Sequence, residues 1–227
     1  MRKVLRIPLD GTPEQFERLR ALQVAFSDVC NAIAPVVQST RCWNRVALHH
    51  LVYRTMRERF PALGSQMICN AVYSVSRAAR LVLQHPKSPW NVNGRPGAPL
   101  PLMQFSRSAP VYFDRHTLSL KGSVLSMFTL DGRIRFALRL APSDQARFQR
   151  QKLLEVVLVG TPDGFDLTFQ FAGPNATGKL QKMSAKGLLP EYVLVVPPAA
   201  APSPAPLPVA AAARLPSPDS SDRTVPL

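Results

Sequence analysis

The side chains best equipped to do chemistry in this sequence are its arginines. They outnumber the lysines 21 to 7 within a formal net charge of +14. A guanidinium is a planar fork of donors that matches phosphate oxygens and base edges better than a compact ammonium does. Arg54, Arg57, Arg77 and Arg80 fall on two successive stretches of helical pattern, with Tyr53 and Tyr73 beside them as stacking surfaces. Further along, Arg107, Arg115, Lys121, Arg133, Arg135 and Arg139 alternate with apolar residues, which predicts a sheet with one basic face. Lys3 and Arg6 interleave with apolar residues in the opening segment. Faces of nearly one sign differ from the mixed charge of an ordinary solvated surface, and the chemistry they suit is polyanion binding.

Other chemistries find less support. His49 and His50 are adjacent and so diverge on a helix, while His85 and His116 stand alone, so no His/Cys set has ligand spacing. Cys30 and Cys69 fall on apolar helical faces and read as core residues. There is no G-x-S-x-G and no glycine-rich phosphate loop with its lysine. Asp10, Asp114, Asp131 and Asp163 each sit at a turn or strand end, where an acidic residue needs no catalytic explanation. No enzyme activity and no cofactor are expected. Three cysteines without a CxxC pair point to a reducing compartment. No apolar run has the roughly 20 residues of a membrane span, and charge returns too soon for a secretory signal. The expected location is the cytoplasm of a prokaryote, on the nucleoid when bound.

The elements that must position these side chains follow from periodicity. Val4 to Leu9 alternates as a short strand. Thr12, Pro13 and Gln15 form a capping-box start, and Phe16, Leu19, Gln23, Phe26, Val29 and Ile33 mark one buried helical face that Pro35 ends or kinks. Further helices are predicted over 43–59 and over 65–84, the latter capped by Ser65. Residues 85–104, rich in Pro and Gly, read as an exposed loop. The period then falls to two, with strands over 111–113, 117–120, 124–129, 134–140, 153–159 and 165–171, and turns at Asp131-Gly132 and Asp163-Gly164.

One strand, three helices and then about six strands predict an α+β fold, namely an antiparallel β-barrel with a three-helix insertion after its first strand. The barrel would comprise 1–10 and 105–172, and the helical lobe 11–104. Residues 173–227 read as a low-complexity tail that carries 11 of the 23 prolines. Within it, 197–227 is expected to be disordered and partly polyproline-like, and the short apolar run from Tyr192 to Val196 reads as a stray strand or a remnant.

Three stretches together resemble the N-terminal half of the transposon-encoded TnpB family, compact relatives of type V CRISPR effectors. They are RKVLRIPLDGTPEQFERLRAL, LGSQMICNAVYSVSRAARLVL, and APVYFDRHTLSLKGSVLSMFTLDGRIRFALRL followed by GFDLTFQF. The resemblance implies a wedge-type barrel with an inserted recognition lobe that grips a guide RNA and reads a short motif beside a double-stranded DNA target. It implies that Gln66 and Asn70 face that motif, that Arg77 and Arg80 face heteroduplex phosphates, and that the strand-block arginines face RNA. Where the family continues into a nuclease with three catalytic carboxylates, this chain enters Pro/Ala low complexity. The function expected is therefore a nuclease-deficient, RNA-guided nucleic-acid-binding protein, or one half of a split effector completed by a separate nuclease subunit. A decayed transposase fragment and a basic scaffold with a Pro-rich docking tail are the alternatives.

Overall fold

A computed structural model describes residues 3–114, 116–172 and 190–198. The chain opens with β1 (Lys3–Pro8) and passes into α1 (Pro13–Thr40) through the expected capping box: the Gln15 amide donates to Thr12 Oγ1 at 3.2 Å, and the Thr12 amide donates to Gln15 Oε1 at 2.9 Å. Of the two outcomes expected at Pro35, an end or a kink, the helix does not end there but runs on to Thr40. Proline removes one helical hydrogen bond. Pro35 itself is exposed, while Ile33, Ala34 and Val37 around it are fully buried, so packing holds the helix through the gap.

Two further helices follow, α2 (Arg45–Arg59) and α3 (Ser65–Gln84). The Asn44 side chain caps α2 by accepting from the Val46 and Ala47 amides. The residue capping α3 is Gly64, and Ser65 is the first residue inside the helix. The Phe128 ring lies 3.0 Å from where a side chain at position 64 would begin, which leaves little room for a larger capping residue.

After a 3-10 turn (Val92–Gly94) come β2 (Leu102–Phe105), β3 (Val111–Phe113), β4 (Leu118–Lys121), β5 (Val124–Thr129), β6 (Gly132–Ala137), α4 (Pro142–Arg150), β7 (Leu153–Thr161), β8 (Gly164–Phe171) and β9 (Val193–Val196). The fold is α+β with antiparallel pairing throughout, but the strands do not close into a barrel. They form three sheets, ordered β1-β8-β7-β3, β2-β9 and β4-β5-β6. The break falls after the three-residue β3, where the Asp114 carboxylate accepts from the His116 and Thr117 amides. This local turn redirects the chain before β4, so β4 starts a separate sheet.

Two elements differ from expectation. α4 is short and polar, yet its Phe148 packs edge-on against Phe169 and Phe171 of β8 at 5.0 and 5.1 Å. β2 lies largely within the stretch read as a loop, and its partner β9 is the short strand offered as one reading of Tyr192 to Val196, within the stretch otherwise read as low-complexity tail. Residues 190–198 thus belong to the fold, whereas the remainder of the tail, including 199–227, lies outside the described residues.

Helices and sheets share one continuous buried cluster, from Leu19, Phe26 and Ile33 of α1 through Met67 and Val75 of α3 to Leu125, Leu167 and Phe171 of the strands. Side chains of α1 also tie down the end of β2 and the chain just after it. Asn31 bonds both backbone groups of Phe105, and buried Gln23 donates to the Ser108 and Ala109 carbonyls. Among the described residues no helix is long and apolar enough to cross a membrane.

Candidate nucleic-acid interface

The candidate basic residues separate into two groups once their surroundings are known. The first surrounds α3. Arg77 donates to both oxygens of Glu155 on β7, at 2.7 and 3.0 Å, with its side chain 24% exposed and that of Glu155 10%. Tyr73 donates its hydroxyl to the same carboxylate at 2.9 Å, and the Arg77 guanidinium lies over the Tyr112 ring. Burial raises the Tyr73 and Tyr112 hydroxyls above the ordinary tyrosine range, with Glu155 adding to the effect on Tyr73 and Tyr192 adding to that on Tyr112. Tyr192, from the segment leading into β9, is likewise raised by burial. For Arg77, burial opposes the charge but Tyr112 and Glu155 outweigh it, so the cation is held firmly.

Neighbouring candidates are also committed to contacts within the fold. Asn70 is buried and donates to the Tyr112 carbonyl at 3.0 Å. Gln66 donates to Asp114 at 2.5 Å. Arg57 donates to the Leu63 carbonyl at the end of α2, and Arg54 pairs with Glu58 one turn along the same helix. Tyr53 stacks on His49 with centroids 4.7 Å apart. Arg80 is half-buried and makes no hydrogen bond or ion pair among the described residues. Of the cationic helical face expected from the sequence, Arg77 is committed to holding α3 to the sheet, Arg54 and Arg57 bond within α2 and the turn after it, and Arg80 makes no bond among the described residues.

The second group lies on the sheet β4-β5-β6. Leu118, Leu125, Met127, Ile134 and Phe136 point into the core. The opposite face carries Ser119 and Lys121 from β4, Val124, Ser126 and Phe128 from β5, and Arg133 and Arg135 from β6. Ser126 lies between Ser119 and Arg135 across the strands. The Arg133 fork donates to the His116 carbonyl at 2.8 Å and the Ser126 carbonyl at 3.2 Å, and no carboxylate pairs with it among the described residues. No strand residue on this face is acidic.

The start of α1 forms a second wall beside this face. Thr12, Glu14, Gln15 and Arg18 enclose with Ser126, Arg133 and Arg135 an open groove of about 580 Å³. The amide of the Gln15 side chain donates to the Arg135 carbonyl, and Arg18 donates to Thr129 Oγ1 and the Asp131 carbonyl. Arg18 is not evident from sequence, because a single arginine beside Glu17 and Arg20 on a long helix carries no periodic signal. Glu14 is the one carboxylate in the groove lining.

The remaining candidates are scattered. Arg107 is exposed after β2, Arg6 pairs with Asp166 across β1 and β8, and Arg139 pairs with Asp10. Arg115 and the side chain of Lys3 lie outside the described residues. The structure also makes one contact that has no signal in the sequence: Cys69 Sγ lies 3.6 Å from His49 Nε2. Burial raises the Cys69 thiol, only partly opposed by Arg45, so it is held protonated beside its histidine. Cys30, expected in the core, is fully buried and pushed up to about 12 by burial, against a smaller lowering from the Ser74 hydroxyl. Among the described residues no three His, Cys, Asp or Glu side chains converge as a metal-binding group.

No protein-family model matches the chain, and no curated protein matches it.

Proposed function

We propose that the chain binds nucleic acid, RNA foremost, by laying the phosphate backbone across the exposed face of β4-β5-β6 and the adjoining α1 groove, and that it binds without cutting. The observation that carries this reading is the grouping of Lys121, Arg133 and Arg135 on one exposed sheet face that holds no carboxylate. A one-signed surface of guanidinium forks, an ammonium and hydroxyls around Val124 and Phe128 suits phosphate contacts, which supply affinity and register without sequence readout.

The TnpB-like form of this reading goes further. There the ligand is a guide-type RNA, the ultimate target is motif-flanked double-stranded DNA, and any cleavage comes from a separate nuclease subunit. Its support is the resemblance of the quoted stretches together with the exposed basic sheet. In this structure Gln66, Asn70 and Arg77 are bonded within the protein, so base or phosphate contacts by them would require those bonds to be exchanged.

Fluorescence anisotropy with a labelled single-stranded RNA across a salt series tests the general reading. Replacing Arg133 and Arg135 by alanine should shallow the slope of log affinity against log salt by about 0.7 for each phosphate no longer neutralised. An unchanged slope overturns the assignment to this face. Sequencing the RNA that co-purifies with the chain from its host tests the guided form: one dominant structured species is expected, and a smear of ribosomal and transfer RNA would overturn it.

A further inference from the structure

β2 and β9 stop pairing at a chemically defined point. Their last pair is Leu102 with Val196, and the next residue outward on each side is a proline, Pro101 and Pro197. Neither has an N–H to continue a ladder, so the pairing ends there and Pro197 leaves the sheet. Its neighbour Pro198 does not run out into solvent. It lines a groove of about 250 Å³ together with Trp90, Val92, Arg95, Ala98, Pro99, Leu100 and Pro101.

The groove is apolar and partly aromatic. Trp90 packs against the buried cluster, and Arg95 covers one face of its ring with the guanidinium 6.0 Å from the centroid. The groove wall is fixed at several points. Asn91 donates its side-chain amide to the His85 carbonyl, Gln38 of α1 donates to the Leu100 carbonyl, and Arg41 donates to the Ala98 carbonyl. A preformed groove lined by an indole and prolines is the surface on which polyproline II segments dock, because their extended conformation leaves little entropy to lose.

The sequence that continues from Pro197 reads PPAAAPSPAPLP, with further prolines at 202, 204, 206 and 208. We propose that the Trp90 groove is the docking site of the chain's own proline-rich segment, seated from Pro198 to about Pro204. The occupant is identified by where the described chain stops: Pro198 forms part of the groove wall, so the residues that follow it start at the groove's edge, and they have the composition such a groove selects. In polyproline II geometry, Pro198 to Pro204 spans roughly 19 Å. Covalent attachment keeps the segment at high effective concentration beside its site, so interactions too weak to hold a free peptide suffice here. The arrangement is independent of nucleic-acid binding. It assigns the proline run a role in closing the β2-β9 edge.

The test uses the full chain labelled with 5-fluorotryptophan. Trp43 and Trp90 are its two tryptophans, and a Trp43→Phe sample assigns the two 19F resonances. Pro202→Gly combined with Pro204→Gly should increase the solvent isotope shift of the Trp90 resonance severalfold and leave Trp43 unchanged. A synthetic peptide spanning 197–208, added at millimolar concentration, should reverse the change in that variant and have no effect on the unaltered chain. A Trp90 resonance indifferent to the two glycines overturns the proposal. So does an equal response at Trp43, which would report a general loosening rather than an emptied groove.

Discussion

Arg77 and Arg133 are the same residue type with opposite occupations, and the difference lies in what stands across from each. Opposite Arg77, β7 delivers Glu155, which takes both arms of the fork in a site mostly closed to water. Opposite Arg133 the described residues offer carbonyl and hydroxyl oxygens, which orient the fork without cancelling its charge. An arginine paired in this way fastens a helix to a sheet, whereas one left unpaired on a flat strand face is ready for an outside anion. Counting basic residues along a sequence adds the two together, and their surroundings separate them.

Removing Glu155 should break this contrast most severely. Glu155→Ala leaves a buried guanidinium and the Tyr73 hydroxyl without their acceptor, and denaturant unfolding should show a loss of about 3 kcal/mol or more. Arg77→Met combined with Glu155→Leu should recover most of that loss, since an apolar pair removes both charges together. If the single variant is as stable as the native chain, the pair does not fasten the helix.

Alkaline pH probes the same region. Burial raises Tyr73, Tyr112 and Tyr192, so each stays neutral in the folded protein at a pH where the unfolded chain already ionises. Their contribution to stability is complete below about pH 10 and falls as the pH rises beyond it. Melting followed by circular dichroism from pH 8 to 11 should be level at first and then decline, and Tyr112→Phe should soften the decline.

On the sheet the expectation reverses. The Arg133→Ala, Arg135→Ala chain should keep its stability to within about 0.5 kcal/mol while the proposed RNA binding becomes less salt-dependent. The smallest effect belongs to Arg54, whose pairing with Glu58 is almost fully solvated. Arg54→Ala should change stability by roughly 0.3 kcal/mol, and a loss above 1 kcal/mol would show that exposed and buried pairs on this lobe are not so different.

Much of the secondary structure was legible because its causes are local. The capping box at Thr12, the apolar stripe of α3 and the period-two runs of β5, β6, β7 and β8 all depend on residues a few positions apart. The Asp131-Gly132 turn was legible for the same reason: Gly132 adopts φ 89°, and only Leu130 and Asp131 separate the paired strand ends. What escaped depends on distant partners. β2 looked like loop because its other strand lies about ninety residues away, across a stretch of tail-like composition. Nothing local marks Arg77 as different from Arg133, since Glu155 is 78 positions from Arg77. The barrel failed for a local reason, the turn at Asp114, whose effect on sheet closure shows only in three dimensions.

β1 pairs along its whole length with β8, Lys3 against Phe171 through Pro8 against Asp166. That pairing has a consequence for biosynthesis. Ribosomes extend chains at about 5–20 residues per second, so β1 leaves the tunnel roughly ten to thirty seconds before its partner has been made. Through that interval α1, α2 and α3 can assemble, while the first strand waits with apolar side chains and an unpaired edge exposed. Lys3 and Arg6 place charge on this segment, which disfavours edge-to-edge pairing with a neighbouring nascent chain during that wait.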